Sequence, residues 1–301
     1  MALITSSSFA KLLWPGLNAI YGDTYNQYPV EWEQLFEKNT SDKAYEEDVG
    51  LSSFGLAAIK PEGSPIAYDS ERQGFTSRYN HVVYALGFMV SREIYEDDQY
   101  AKIGGQKAKA LARSMRQTKE IVGANVYNNA FDGGLGGDGV YLLSASHPAV
   151  SGGVYSNLIG TAADLSEAAL EQAVIDIANY RDDRGLRIAA KPQKLVIPYT
   201  LQFEAARILN STGRVGTDLN DTNAVKDSGL FSQVVTNHYL TDADAWFILT
   251  DVKDGLKYFE RRGDQFEMDN DFDTENAKFK ATARYAFGWS DPRAIYGSRG
   301  A

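Results

Sequence analysis

Ser144, Ser146 and His147 lie within four consecutive residues and carry the groups that nucleophilic catalysis needs. A serine hydroxyl is a weak nucleophile until an adjacent imidazole takes its proton, so this pair of residue types could begin a hydrolytic site. The G-x-S-x-G elbow that exposes such a serine in many hydrolases is absent here. Because Pro148 follows directly, we interpret the segment as a turn, and we predict no catalytic residue.

The segment Gly134–Gly139 matches the letters of a dinucleotide-binding motif, G-x-G-x-x-G. That motif works only between a strand and a helix, where the N-terminus of the helix holds the pyrophosphate. Here the segment follows a predicted helix and precedes a predicted strand, Val140–Leu142. We therefore interpret it as a flexible hinge between two domains, and we predict no cofactor.

Four acidic residues alternate along one short stretch and could offer oxygen ligands to a cation: Asp269, Asp271, Asp273 and Glu275. A calcium-binding EF-hand loop would need Gly at position 274 and Glu at position 280. Thr274 and Lys280 stand there instead. We interpret this stretch as a solvated loop, as we do Asp218–Asn223, and we predict no metal site. None of the three histidines has the spacing of a metal-binding motif.

The amino-acid composition excludes several further kinds of site and of protein. The chain has 301 residues and no cysteine, which rules out disulfides, iron–sulfur clusters and thiolate zinc sites. Its net charge of −10 is too acidic for a protein that coats a genome. The longest apolar run, Val82–Val90, is far shorter than the roughly 20 residues of a membrane helix. We find no signal peptide and expect a soluble chain.

One face of a predicted long helix is strongly basic. Residues 102–119 hold six basic residues and no acidic one. Four of the six fall on one helical face: Lys102, Lys109, Arg113 and Arg116. Such a stripe could contact an acidic neighbouring subunit or bind nucleic acid inside a shell, where phosphate contacts would depend on salt. A solvated face without a partner is the alternative.

The elements that would position these residues divide the chain into five segments. Residues 1–50 contain scattered aromatics such as Trp14 and are predicted to form an extended arm, with an ordinary strand-and-turn segment as the alternative. Residues 51–92 are predicted to form a long hairpin. Its strand Phe54–Lys60 and its return from Ile66 flank a Pro-Gly turn. The outer half of this hairpin is too polar to be buried by one chain, so we expect a partner.

The remaining three segments alternate between helix and strand. Residues 93–139 are predicted to form a helix, broken near Gly104–Gly105, followed by the glycine hinge. Residues 140–262 read as a compact α/β core. Residues 263–301 contain the clearest strand signal, because apolar and polar residues alternate over Ala277–Phe287. The predicted class is α+β.

This order of segments resembles the major capsid protein of tailed double-stranded DNA phages, with the Hong Kong 97-type fold. Within that family, its local sequence strings most resemble those of the Mu-like major head subunits. Local strings carry the resemblance from about residue 50 onward: Lys60–Gly63, Tyr84–Phe88, Ser146–Pro148, Ser156–Leu158, Leu195–Pro198, Ala205–Leu209, Asn220–Asn223 and Ala245–Leu249.

The resemblance implies a structural protein and no enzyme. The five segments would be the N-terminal arm, the E-loop, the spine helix of the P domain, the A domain, and a return to the P domain. Copies would assemble as hexamers and pentamers in the host cytoplasm, forming an icosahedral shell around packaged DNA. A separate scaffold protein, a portal and decoration proteins are the further partners that it implies.

Residues expected to contact neighbouring subunits lie mainly in the hairpin. They are Phe54, Ile59, Lys60, Pro61, Glu62, Gly63, Ile66 and Tyr68. Trp14 in the arm and the four basic residues Lys102, Lys109, Arg113 and Arg116 complete the set.

Two other functions remain open at this point. An encapsulin-like nanocompartment shell would share the fold, but encapsulins typically replace the arm with a short helix, whereas residues 1–50 are predicted to be extended. A soluble α/β enzyme or binding module would rest on the glycine segment and the residues near Ser146. That function predicts a particle much smaller than a shell.

Overall fold

The computed structural model describes residues 7–91, 100–213, 221–270 and 276–301, with the side chains of residues 7–15, 100–102 and 270 excepted. Five α-helices lie in these ranges: α1 (Ser7–Gln27), α2 (Tyr100–Asn128), α3 (Glu167–Ala178), α4 (Gln202–Asn210) and α5 (Ala224–Ser228). None of these described helices combines the length and hydropathy needed to cross a bilayer.

The described ranges also hold twelve strands. They are β1 (Glu37–Thr40), β2 (Tyr45–Leu51), β3 (Gln73–Asn80), β4 (Val82–Val90), β5 (His147–Pro148), β6 (Val154–Tyr155), β7 (Pro192–Pro198), β8 (Gln233–Asn237), β9 (Trp246–Thr250), β10 (Leu256–Asn270), β11 (Ala277–Trp289) and β12 (Ile295–Ser298). They form two four-stranded sheets and two two-stranded ones.

The first sheet has the strand order β1-β10-β11-β4 and carries the long helix α2 on one face. Its central strand β11 confirms the predicted alternation, because Phe279, Ala281 and Tyr285 are buried while Lys280 between them is exposed. Successive strand residues point to opposite faces, so one apolar face packs onto the helix.

Helix α1 packs along α2, and the prediction of an extended arm is therefore wrong for residues 7–27. Leu17, Tyr21 and Thr24 are buried at the three- and four-residue spacing of a helix face. Tyr21 stacks on Phe266 of β10 with ring centroids 4.7 Å apart. Pro15 and Gly16, residue types that are common in turns, both lie inside α1.

The predicted break at Gly104–Gly105 is also wrong, because α2 runs through both residues. Both glycines are buried, and a Cβ at Gly105 would lie 3.7 Å from the Ile20 side chain of α1. That distance is an ordinary van der Waals contact, so α2 continues through both glycines despite their cost of about 1 kcal/mol each in a helix.

The second sheet, with the order β12-β9-β7-β8, forms the centre of the α/β core. Its apolar residues pack with α3 and α4, as in Leu170, Leu195 and Ile248, which are fully buried. The strand β12 pairs with β9 here. The last residues of the chain thus return to the core that was expected to end at residue 262.

The glycine segment that was interpreted as a hinge is tightly packed. A Cβ at Gly137 would lie 2.4 Å from the Thr76 carbonyl oxygen, and one at Gly136 would overlap the Trp289 ring. Gly134 and Gly139 have φ near +79° and +78°, a conformation that favours glycine. These glycines let β3 and β11 approach the segment that follows α2 closely.

Candidate assembly surfaces

Residues 52–72, which we call the projecting loop, connect β2 to β3. The strands β2 and β3 pair with each other as an antiparallel hairpin. The predicted hairpin therefore exists, but its strands lie at residues 45–51 and 73–80. No strand covers Phe54–Lys60 or Ile66–Ser70, because no neighbouring strand of the described chain pairs with them.

Large apolar side chains of the projecting loop face solvent. Ile59 is 96% exposed, Tyr68 94% and Leu56 82%, and Phe54 and Ile66 are also exposed. Isolated apolar residues on a surface need no explanation, but a concentration of this kind marks an interaction site.

The tip of the projecting loop is the turn predicted from its Pro-Gly sequence. The Ser64 N–H donates to the Pro61 carbonyl at 3.2 Å, and Gly63 has φ near +77°. Lys60, Pro61 and Glu62 are exposed, as is Gly63. The turn thus presents one charge of each sign beside the exposed apolar residues.

Arg184 holds the base of the projecting loop from outside the hairpin. Its guanidinium donates to the Ser53 carbonyl at 3.0 Å, to the Ser70 carbonyl at 2.6 Å and to the Asp69 carboxylate at 3.2 Å. Asp182 accepts a hydrogen bond from the Ser53 hydroxyl. The rigid, planar guanidinium of Arg184 therefore connects the two chain segments that enter and leave the loop.

Both carboxylates at this base have lowered pKa values. Backbone N–H groups of Gly55 and Ser70, each 2.8 Å away, together with Arg184, lower the pKa of Asp69. Burial alone would raise the pKa of Asp182, but hydrogen bonds from Ser53 and from backbone N–H groups outweigh it and lower the pKa. Both groups therefore support the base in their ionised form.

Replacing Arg184 with Ala should free the base of the projecting loop without unfolding the chain. Three charge-assisted hydrogen bonds are lost at a partly exposed site, and we expect amide exchange at Gly55 to accelerate about tenfold. Hydrogen–deuterium exchange measures this directly. Arg184→Lys is the matched control, since it keeps the charge but cannot bridge both segments. Unchanged exchange at Gly55 in Arg184→Ala would contradict the role of this side chain.

The same base should loosen in acid. A carboxyl whose folded pKa lies below its unfolded value stabilises the structure above the unfolded value, about pH 4 for Asp. That contribution is lost as the pH falls through the folded pKa. We therefore expect amide exchange of residues 53–70, corrected for its intrinsic pH dependence, to be constant from pH 7 to about 5 and to rise below about 4. An Asp69→Asn variant should show a smaller rise.

Only part of the basic face of α2 is exposed to solvent. Lys109 and Arg113 are exposed, and the Arg113 guanidinium lies 5.8 Å from the centre of the Tyr28 ring. Arg116 is buried, with 7% of its surface exposed. Its proposed contact with a neighbouring subunit is therefore wrong, because it packs inside the chain against Tyr25. The side chains of Lys102 and Trp14 lie outside the described residues.

The end of the basic run instead forms a buried charged cluster. The Lys119 ammonium lies 3.3 Å from Glu260 and 4.7 and 4.6 Å from the ring centres of Trp32 and Tyr258. Burial lowers the pKa of Lys119. Cation–π contacts and the ion pair offset the cost of removing the charge from water. Periodicity alone did not distinguish this lysine from its exposed neighbours.

The residues that could have formed an enzyme site are arranged differently. His147 is fully buried, and its Nδ1 atom lies 2.6 Å from the Asp138 carboxylate. Its Nε2 atom has no hydrogen-bond partner among the described residues, so neither Ser144 nor Ser146 is positioned to lose a proton to it. The imidazole stacks on Tyr155, with ring centroids 5.3 Å apart. This is the geometry of a packed side chain.

The acidic stretches give no site within the described part of the chain. Among these residues, no group of three or more His, Asp or Glu could hold a metal ion. Residues 271–275, which contain most of the first stretch, and residues 218–220, which are half of the second, lie outside the described residues. Asn223 is described, and its side chain caps α5 by accepting the Lys226 N–H, which agrees with turn chemistry.

Solved structures share this arrangement. The virus-like particle from Pyrococcus furiosus matches with a TM-score of 0.55 and 10% identity, over 94% of this chain and 98% of that one. The capsid of the native GTA particle gives a TM-score of 0.54 and 17% identity, over 90% of both chains. The procapsid of bacteriophage JBD30 gives 0.50 and 15%, over 98% and 76%. At these identities the matches establish a common fold.

The sequence itself matches one family model. No curated protein matches the chain. A family model described as phage capsid protein covers residues 74–298, well over half of the chain. The chain therefore belongs to the phage capsid protein family, and it is a structural major capsid protein with the Hong Kong 97-type fold.

Proposed function

We propose that copies of this chain assemble as hexamers and pentamers into an icosahedral shell that encloses packaged double-stranded DNA. The observation that carries this proposal is the projecting loop, whose apolar residues Leu56, Ile59 and Tyr68 are not covered by any of the described residues. In a protein of the phage capsid family, the most direct cover is a neighbouring subunit. Symmetric repetition of such contacts closes a shell.

The segments take the following roles in this proposal. Residues 51–92 act as the E-loop and residues 140–262 as the A domain. Residues 93–139 and 263–301 form the P domain together with β4 and the first residues of β10, which belong to the first sheet, while β12 joins the A domain. Residues 1–50 act as an arm that is helical over α1. The first sheet with α2 and the second sheet with α3 and α4 support this division.

Further partners belong to the proposal as well. A separate scaffold protein would guide assembly in the host cytoplasm, and a portal and decoration proteins would complete the virion. Among the described side chains of the basic stripe, Lys109 and Arg113 remain available to packaged DNA or to an acidic neighbour. We infer no catalytic step, since His147 is packed and its Nε2 atom faces no described partner.

The structure changes the case against an encapsulin-like nanocompartment shell. The extended arm was the feature that argued against it, and helix α1 removes that argument. The match to a phage capsid family now favours a phage head. A cargo enzyme that co-purifies with the shell would support the nanocompartment.

Sedimentation velocity of the purified chain, with and without a co-expressed scaffold protein, tests the assembly state. We expect species of about five and six times the 33.2 kDa chain, or much larger particles. A monomer or dimer at every concentration, with scaffold present, would contradict the proposal. That result would instead favour a soluble binding module.

A further inference from the structure

A cleft of about 680 Å³ lies between the β2–β3 hairpin and the α/β core. One wall comes from residues 48–53 and 74–77 of the hairpin. The other comes from residues 182–190, 251–257 and 290–293, and we call the whole cavity the acidic cleft. Cavities that bind ligands have volumes of roughly 300–1,000 Å³, so the size of this cleft suits a bound ligand.

The walls of the acidic cleft carry an excess of negative charge. Seven aspartates line the cleft, against two lysines and one arginine, which leaves four net negative charges. Lys257 lies 2.7 Å from both Asp48 and Asp254, so one of the two lysines is already neutralised. Asp251 and Asp254 also line the cleft and are exposed. A cleft lined by one sign of charge attracts ligands of the opposite sign, which here means cations.

A single metal ion does not fit this distribution of charge. In the part of the chain that the structure describes, no group of three or more acidic or histidine side chains could hold a metal ion. The carboxylates are instead spread over both walls, from Asp48 on the hairpin to Asp182 and Asp251 on the α/β core. Separate carboxylates are complementary to a ligand that carries several positive charges at intervals.

The hairpin wall of the acidic cleft adds an apolar surface. Leu51 is 64% exposed, Val49 45% and Phe75 40%, and all three side chains line the cleft. Lysine and arginine lay their methylene stems along such a surface while their charged ends stay in polar surroundings. Exposed apolar side chains beside carboxylates therefore favour long basic side chains over an inorganic cation.

A buried donor in the same cleft lacks a partner. Arg293 lines the cleft and is only 8% exposed. Its guanidinium nitrogens lie 2.9 Å from the Asp183 carboxylate and 3.5 Å from that of Asp291, and its central carbon lies 4.3 Å from the centre of the Tyr155 ring. Its Nε atom has no hydrogen-bond partner among the described residues. Because an unsatisfied buried N–H is costly, a ligand that offers a carbonyl oxygen there would gain affinity.

We propose that the acidic cleft binds an extended basic segment of a partner protein. A backbone carbonyl of that segment accepts the Arg293 Nε–H, and its lysine or arginine side chains lie along Leu51 and Phe75 and end at Asp251 and Asp254. A polypeptide supplies both the acceptors and the spaced charges, whereas a polyamine supplies only the charges. This inference goes beyond the proposed shell and does not depend on it.

Fluorescence anisotropy with the purified full-length chain tests the proposal. The probe is a labelled, N-acetylated and C-amidated peptide in which lysine and alanine alternate. The test variant combines Asp251→Asn with Asp254→Asn, and asparagine tolerates the left-handed φ of 60° at position 254. The matched control combines Asp242→Asn with Asp244→Asn, which changes the net charge equally on an exposed loop outside the cleft. Spermidine, at the same charge as the probe, and a peptide of alternating glutamate and alanine are the comparison ligands.

We expect the lysine peptide to bind the unaltered chain and the control variant equally, and to bind the test variant about tenfold more weakly. Spermidine should bind more weakly than the peptide, because it has no carbonyl for Arg293, and the glutamate peptide should not bind. Equal affinity for both double variants would overturn the proposal, since the attraction would then come from the net charge of the whole chain. Equal affinity for spermidine, or no binding of the lysine peptide at low salt, would also overturn it, and the proposed shell would stand in each case.

Discussion

Deletion of residues 59–68 leaves a folded subunit that no longer closes into shells. The deletion removes Ile59, Tyr68 and the turn between them, which contribute almost no buried surface to the single chain. It keeps Arg184 and its partners at the loop base, where Gly55 and Asp69 are already hydrogen-bonded and can be rejoined by a short turn. The fold of the subunit should therefore persist.

The effect on assembly should be large. Burying two side chains of this size contributes roughly 3–6 kcal/mol to a contact. Its loss lowers the association constant by about 100- to 20,000-fold, and the loss recurs at every copy of the contact. Electron microscopy counts closed shells, and circular dichroism checks the fold. A Gly/Ser replacement of equal length separates the chemistry of the loop from its length, and normal shells from either variant would contradict its role.

Replacing Glu120 with Ala should be among the most destabilising single changes in the chain. The Glu120 carboxylate is buried and accepts the backbone N–H groups of Trp32, at 3.0 Å, and Glu31, at 3.3 Å. Arg116 lies 3.9 Å from it. Removing the carboxylate leaves these donors unsatisfied and a buried guanidinium without its counter-charge. We expect a loss of about 3–5 kcal/mol in the free energy of unfolding.

Chemical denaturation of the unassembled subunit measures this loss. Glu120→Gln is the matched control, because it keeps one acceptor oxygen and the shape of the side chain. We expect its cost to be about half that of the alanine variant. Equal, small losses in both variants would show that the donors find water and that Glu120 does not fix residues 31–32 to α2.

The parts of the fold that were predicted correctly are those with strong local periodicity. The strand β11 is recognisable because apolar and polar residues alternate across a half-buried sheet. Helix α1 was not predicted, because Pro15 and Gly16 are residues typical of turns. Packing against α2 and β10 decides that conformation, and such contacts have no local signature.

Only part of the candidate assembly surface could be predicted from the sequence. The turn at the tip of the projecting loop follows from its Pro-Gly sequence, and it presents the exposed residues Lys60–Gly63. The clamp by Arg184 could not be predicted, because that residue is more than 110 positions from Ser70 in sequence. Arg116 and Lys119 were grouped with surface bases, since only the tertiary fold places aromatic rings and carboxylates around them.

Negative-stain electron microscopy of the purified chain, beside size-exclusion chromatography, shows whether the subunits assemble into shells. We expect closed icosahedral particles, or separate hexamers and pentamers, in the material that elutes ahead of a 33.2 kDa monomer. A homogeneous monomer or dimer, even when a scaffold protein is co-expressed, would contradict it.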